Sequence, residues 1–374
     1  MNKKLALCMT GGGARAAYQV GAARALFEIS GKDQNFLQMI SGNSAGAINS
    51  LYLAANAQDW DVATHNLIAL WRGLTPQKIY DLRIKSISEI GLKWLGGTMF
   101  GGMTKDGSPL NHFLDTAPLR KLLTKEIDFT QVKRNLDSSH LSGISLATTN
   151  FNTGSNVVFY QSKEDIPQWS RTDRFSVKTN ITVDHVMASS AIPFFFPPIQ
   201  IQDSFYGDGC IRQTTPLSPA IHLGAEKIIA IGVRHPHNQD VVRTLTLAAS
   251  KNPTLGQILG TMMNAIFLDS LEADVERLQR INSLIESNPN SSLKKIDILM
   301  LRPSKDLGKM TQKLNEELPR TLRYLLKGIG VSDDEGLDLL SYLAFDKAYT
   351  LPLMELGYDD TMKRRDEIAR FIGA

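Results

Sequence analysis

Two stretches decide how this chain folds: Leu5-Ala6-Leu7-Cys8-Met9-Thr10 running into Gly11-Gly12-Gly13-Ala14-Arg15, and Phe36 to Ser41 running into Gly42-Asn43-Ser44-Ala45-Gly46. Each begins as a short apolar run, breaks on glycine and continues into a helical pattern. Leu5 to Thr10 reads as a buried strand. The following helix is predicted over Ala14 to Ile29, with Ala16, Val20, Ala23 and Phe27 on one face and Ser30-Gly31 as its stop. Phe36 to Ser41 reads as a second strand, and a second helix runs from Ala47 to about Ala57. Strand, glycine loop, helix, strand, tight turn, helix is the order of a parallel sheet with helices packed on it.

Further along, residues 60–140 read as mainly helical and irregular, with Gly96-Gly97, Gly101-Gly102 and Asp106-Gly107-Ser108-Pro109 in one flexible stretch. Strands are predicted at Ser142 to Thr149 and Asn156 to Tyr160, joined by Asn152-Thr153-Gly154-Ser155 as a hairpin turn. A short helix from Val183 to Ser190 precedes the apolar, proline-bounded loop Ala191 to Pro198. Ile199 to Gln202 and Phe205-Tyr206 then form a small hairpin that arrives at Gly207-Asp208-Gly209, and Lys227 to Val233 is a further buried strand. After Lys251-Asn252-Pro253 the character changes. Leu255 to Ile285 is a long helical pattern with one break, Lys295 to Leu301 a strand, and residues 305–374 are helical, with a capping box at Ser332-Asp333-Asp334-Glu335. The chain thus divides into residues 1–250 and a mainly helical region, 251–374, open to a role as lid, membrane contact or partner surface. Within it Leu318, Leu322, Leu325 and Ile329 share one helical face and Arg320, Arg323 and Lys327 another. Most such helices pack on a core, and contact with anionic lipid is the alternative.

Composition sets outer limits. A chain of 374 residues allows two domains of ~150 residues, or one large α/β unit with an appendage. Hydrophobic residues at 43% and charged residues at 21% exclude a disordered or collagen-like chain. The formal charge of +3 is too small to argue for nucleic acid. Cys8 and Cys210 are too few for a disulfide framework, and a reducing compartment is the default. The apolar run Leu5 to Met9 is too short for a secretory signal, and no segment approaches the ~20 apolar residues of a membrane span. The expectation is a soluble, cytoplasmic protein, with peripheral membrane contact open and oligomeric state unspecified.

The chemistry rests on three motifs. Gly42-Asn43-Ser44-Ala45-Gly46 fits G-x-S-x-G between a strand and a helix, the context of a nucleophile elbow, which exposes the serine hydroxyl at a helix N-terminus. A near miss, Gly143-Ile144-Ser145-Leu146-Ala147, lies inside a strand pattern and reads as structural. Gly11-Gly12-Gly13 lets backbone N–H groups converge on an anion. It suits either an oxyanion hole or, as Gly11-x-Gly13-x-x-Ala16, a dinucleotide fingerprint. The second strand delivers Ser44, however, which a nucleotide site does not need. Arg15 opposes the helix dipole, so it either pairs with a local acid or is kept for an anionic substrate group or an active-site contact. Gly207-Asp208-Gly209 is a turn signal whose apolar neighbours would desolvate the carboxylate and strengthen it as a base. Asp106-Gly107 is the competing dipeptide. No H-E-x-x-H or Cys/His spacing calls for a metal, and His235-Pro236-His237 reads as a solvated loop. His222, His235 and His237 follow Asp208, so chain order alone leaves a conventional Ser, acid, His triad open.

In this order, Gly11-Gly12-Gly13-Ala14-Arg15, then Gly42-x-Ser44-x-Gly46, then Asp208-Gly209, the chain resembles the patatin-like phospholipase family, bacterial branch. The likeness covers about residues 5–235, including Ala188-Ser189-Ser190-Ala191-Ile192-Pro193 and Leu223-Gly224-Ala225. It implies a three-layer α/β/α fold with a mostly parallel central sheet and acyl-ester hydrolysis on lipids. It also implies a Ser-Asp dyad without histidine, in which Ser44 is the nucleophile and Asp208 the general base. Gly11, Gly12 and Gly13, with Ala14 or Arg15, would supply the oxyanion hole, and Gly42, Gly46 and Gly209 would support the motifs. No cofactor is implied. Two positions depart from the family pattern: Ala16 stands where glycine is usual, and Cys210 where glycine or alanine is. Both are small, so a tightened pocket wall is expected. The functional expectation is a phospholipase A or lysophospholipase. The alternatives are a thioesterase or acyltransferase with the same dyad, or a non-catalytic nucleotide- or lipid-binding protein.

Overall fold

Alternation along the central strands builds the layers. In β1 (Leu5–Met9) and β9 (Lys227–Ile231), Leu5, Leu7, Met9, Ile229 and Ile231 face one core. Ala6, Cys8, Ile228 and Ala230 face a second core with Leu217, Leu271 and Val275. A strand that is apolar on both faces must be covered on both, and successive side chains point to opposite sides. The computed structural model describes residues 3–34, 36–81, 111–236, 252–288, 291–312, 314, 317–332 and 334–374. The glycine pairs between 96 and 102, Asp106-Gly107, His237 and Asp333 lie outside them.

The remaining strands are β2 (Met39–Asn43), β3 (Gly143–Asn150), β4 (Ser155–Ser162), β5 (Ser170–Arg171), β6 (Arg174–Lys178), β7 (Ile199–Ile201), β8 (Ser204–Asp208) and β10 (Asp297–Leu301). They form one sheet in the order β10-β9-β1-β2-β3-β4-β6-β5, with β8 also on β3 and β7 on β8. From β10 through β3 every neighbour is parallel. The β3–β4 and β7–β8 hairpins fall where the turn residues predicted them. The fold is α/β, a mostly parallel sheet between helices with a helical C-terminal region.

The helices used below are α1 (Ala17–Ile29), α2 (Ala45–Ala55), α3 (Trp60–Arg72), α4 (Ala117–Glu126), α5 (Phe129–Asp137), α6 (Val183–Ser189), α7 (Leu255–Phe267), α8 (Asp269–Ser287), α9 (Arg320–Gly328), α10 (Leu337–Leu343), α11 (Lys347–Met362) and α12 (Arg365–Ile372). A short 3₁₀ turn, Gly13–Ala16, precedes α1. The break expected in the long helical pattern falls at Leu268, between α7 and α8. The capping box does not cap: Glu335 N–H donates to Ser332 Oγ at 3.1 Å, but α10 starts later, behind Gly336 at φ 72°. A local turn consumed the signal.

The division at residue 250 also falls outside the described residues, and the region beyond it is joined to the sheet. β10 pairs with β9 from Asp297↔Lys227 to Leu301↔Ile231. α11 buries Tyr349, Leu353 and Met354 in the same core as α1.

Candidate active site

Ser44 stands where β2 stops and α2 starts, at φ 55° and ψ −130°. A non-glycine residue held there stores on the order of 1–3 kcal/mol of strain, which the surroundings must enforce. Gly46 is part of that enforcement, because a Cβ there would lie 2.3 Å from the Met9 carbonyl oxygen. Ser189 and Ser190, at the end of α6, are another part. Ser44 N–H donates to Ser189 Oγ at 3.1 Å, Ser189 Oγ donates to Ala147 O at 2.7 Å, and Ser190 Oγ donates to Ser44 O at 3.0 Å. Sequence reading passed over both as site residues, and the signal was a serine pair closing a short helix ahead of an apolar loop.

Asp208 ends β8, where the ladder with β3 sets it opposite Thr148. Its backbone is fixed on both sides: its N–H donates to Ala191 O at 3.2 Å, and Thr149 Oγ1 donates to its carbonyl at 2.8 Å. Oδ1 accepts the Cys210 N–H at 2.9 Å. The carboxyl is fully buried, and burial raises its pKa from 3.8 to about 7, while the nearby Ser44 hydroxyl and the Cys210 N–H pull the other way. Oδ2 has no hydrogen bond of full geometry. The Ser44 hydroxyl is near enough to influence the carboxylate without completing a bond to Oδ2, and such contacts often tighten only around substrate.

Gly11 is the point where the pieces meet. A Cβ on it would lie 2.7 Å from Ser44 Cβ, 2.6 Å from Cys210 Sγ and 3.0 Å from Phe267 Cδ1. Cys210 therefore fills the wall beside Ser44, and burial pushes its thiol well above the ordinary range. The loop's amide scaffold hangs from a buried polar chain. Trp71 Nε1 donates to Asn49 Oδ1 at 2.8 Å, Asn49 Nδ2 to Gln19 Oε1 at 3.2 Å, and Gln19 Nε2 to Thr10 O at 2.7 Å.

Arg15 pairs with an acid, but one that is remote in sequence. Its N–H donates to Gly12 O at 3.2 Å within the turn. Its guanidinium is buried and pairs with no neighbour in sequence. Nη2 donates to Asp338 Oδ1 at 2.7 Å, Nε to Ser341 Oγ at 2.7 Å, and the group lies 4.5 Å from the Tyr342 ring centroid. A Cβ on Gly13, at φ 57°, would sit 2.2 Å from Tyr342 O. α10 thus clasps the glycine loop from outside, and the Phe267 ring of α7 packs on Tyr342 at 5.4 Å. Under this cover Ser44 is 1% and Asp208 0% exposed.

Among the described residues no histidine bonds Ser44 or Asp208. His222 stacks on Trp169 at 4.6 Å, His235 Nδ1 meets Pro303 O at 3.0 Å, and His185 bonds Thr182 at the start of α6. No cluster of three or more metal-ligating side chains occurs among the described residues, and none of their helices is long and apolar enough to cross a membrane.

The family model "Patatin-like phospholipase" matches residues 7–221. No curated protein matches the chain in sequence. Among solved structures, VipD from Legionella pneumophila is 13% identical with a TM-score of 0.33, over 98% of this chain and 67% of that one. The complex of full-length SpcU with full-length ExoU, from the type III secretion system of Pseudomonas aeruginosa, is 13% identical with a TM-score of 0.28, over 91% of this chain and 77% of that one. Both likenesses are too faint to bear on the chemistry. The family match spans more than half of the chain, from β1 through both glycine motifs and Asp208, and the protein belongs to the patatin-like phospholipase family, a family of lipid acyl hydrolases.

Proposed function

We propose that the protein is a phospholipase A or lysophospholipase whose chemistry is done by Ser44 and Asp208. The observation that carries the reading is the buried Asp208 carboxylate, with one oxygen unpartnered, beside a serine held in a strained elbow. A carboxylate in water is too weak a base for a serine hydroxyl. Desolvation that lifts its pKa to about 7 brings it close to the range in which a general base works. Ser44 Oγ attacks the ester carbonyl as Asp208 takes its proton. The amides of Gly11 to Gly13, with Ala14, receive the negative charge that develops on the carbonyl oxygen. Collapse expels the alcohol, which takes the proton back from Asp208. Water, deprotonated by the same carboxylate, then releases the fatty acid. Cys210 narrows the wall against Gly11, so the departure from a smaller residue tightens the pocket and leaves the chemistry intact. Because the ester lies in a lipid aggregate, the enzyme works as a peripheral visitor to a membrane.

The test is covalent labelling with a fluorophosphonate, together with mass spectrometry of the lipids released from mixed phospholipid vesicles. The wild type should label once, at Ser44, and liberate fatty acid and lysophospholipid, while Ser44→Ala does neither. Labelling without phospholipid hydrolysis, but with turnover of an acyl thioester or transfer to an added alcohol, would replace this reading with the thioesterase or acyltransferase one.

A further inference from the structure

We propose that the outward faces of α7 and α9 together form the surface by which this protein docks on anionic lipid. The proposal rests on the lipid-hydrolase reading above, for which it supplies the docking face. α7 contains no charged residue. Leu255, Ile258 and Met262, at i, i+3 and i+7, are exposed by 54%, 45% and 47%. Its other side packs inward through Gly256, Gly260, Met263 and Phe267. A surface helix normally turns polar residues to water, and a continuous apolar outward stripe marks a contact.

The residue that follows α9 meets the start of this helix, where Gly256 N–H donates to Ile329 O at 2.7 Å. Leu318, Leu322 and Leu326 are buried and hold α9 on the core, so the apolar face read from the sequence is mostly spent on packing. The opposite side is cationic. Arg320 and Lys327 are exposed and Arg323 half-buried, and none of the three has an ion-pair partner among the described residues. Tyr324, 79% exposed, and Leu325, 36% exposed, stand among them. The acids that follow are engaged elsewhere in part: Asp338 by Arg15, and Asp334 by Gln312 Nε2 at 3.2 Å. Outward cations beside an aromatic residue and an apolar stripe match head-group charge and the shallow apolar layer beneath it.

The position of α7 argues for lipid over a second copy of the chain. Its inner end puts Phe267 against Gly11, beside Ser44, so the helix that shows an apolar face outward is a wall of the sealed dyad. Docking here sets acyl chains on the far side of that one wall.

The experiment uses the full-length chain carrying Ser44→Ala, sedimented with phosphatidylcholine vesicles with or without phosphatidylserine. Binding should require phosphatidylserine and weaken with salt. It should fall at least ~10-fold both in Ile258→Gln/Met262→Gln and in Arg320→Glu/Arg323→Glu/Lys327→Glu. With Ser44 restored, both variants should hydrolyse a short soluble ester at the wild-type rate, which shows that fold and dyad survive. The proposal is overturned if both variants bind like the parent, or if the parent binds neither vesicle. It is also overturned if light scattering shows that the stripe variant breaks a dimer. Hydrolysis persisting in Ser44→Ala would sink the catalytic reading while leaving the docking face standing.

Discussion

Two neighbouring strands each carry a Gly-x-Ser, and only one of them ends on its serine. Gly42-Asn43-Ser44-Ala45-Gly46 leaves β2, while Gly143-Ile144-Ser145-Leu146-Ala147 lies within β3, and the two are in register from Ser41↔Ser145 to Asn43↔Ala147. β3 continues to Asn150 because β4 and β8 pair with its far end, so Ser145 stays in the pleat. It is fully buried, and its Oγ donates to Ser41 Oγ at 3.0 Å. β2 has no such continuation. Its chain turns on Ser44 itself, and a helix begins at the next residue. The two serines thus differ in that only Ser44 is lifted out of the pleat into a turn, and the final letter matters because Gly46 must pass under the Met9 carbonyl.

The sharpest way to break that comparison is to remove each hydroxyl in turn. Ser44→Ala should cost roughly 10⁴-fold or more in kcat on a short-chain p-nitrophenyl ester. Ser145→Ala should stay within ~10-fold and lose only about 1 kcal/mol of stability, the worth of one buried hydrogen bond. Comparable losses in the two would mean that the elbow geometry has been misread.

A second substitution asks whether the elbow's partner is a carboxylate or an imidazole. Asp208→Asn should lower kcat by ~10³-fold or more. His222→Ala and His235→Ala should each cost less than ~10-fold, since His222 stacks on Trp169 and His235 meets Pro303 O. A histidine variant as dead as Ser44→Ala, with Asp208→Asn still active, would identify a triad.

The smallest expected effect is on pH dependence. The proposed mechanism needs Asp208 ionised, so kcat/KM should rise with pH and level off above about 7. Stability runs the other way. The folded pKa is raised above the unfolded one, so the native state holds the extra proton, and stability declines as pH climbs from about 4 to about 7. Asp208→Asn abolishes that decline. Its melting temperature relative to wild type should climb between pH 4 and pH 8, by the equivalent of up to about 4 kcal/mol. A flat difference would show that the carboxyl titrates normally.

Much of this was legible in the chain because it is local. The β3–β4 hairpin, the break at Leu268 and the glycine-flanked serine are set by residues within a few positions of each other. β2 was read two residues early, since Gly42 and Asn43 remain extended and Ser44 alone makes the turn. What escaped is what distant segments supply. A local acid is one expectation for Arg15, and the acid it meets is the distant Asp338. Ser189 and Ser190 reach the elbow only because α6 packs beside α2, and nothing in their spacing says so. The cover of Phe267 and Tyr342 is likewise a tertiary fact, drawn from helices whose patterns show only that they are amphipathic.

The clasp between Arg15 and α10 has a consequence for modularity. The family likeness stops at residue 221, which invites treating the front of the chain as an exchangeable cassette. It is not one. Cut before α7, the front half would keep a buried guanidinium stripped of its counter-charge. It would also bare the rim of Lys227–Ile231, which β10 now covers. An unpaired row of isoleucines is an adhesive edge. In this chain the back half therefore supplies two things that the front half lacks, an acid for Arg15 and a strand for β9.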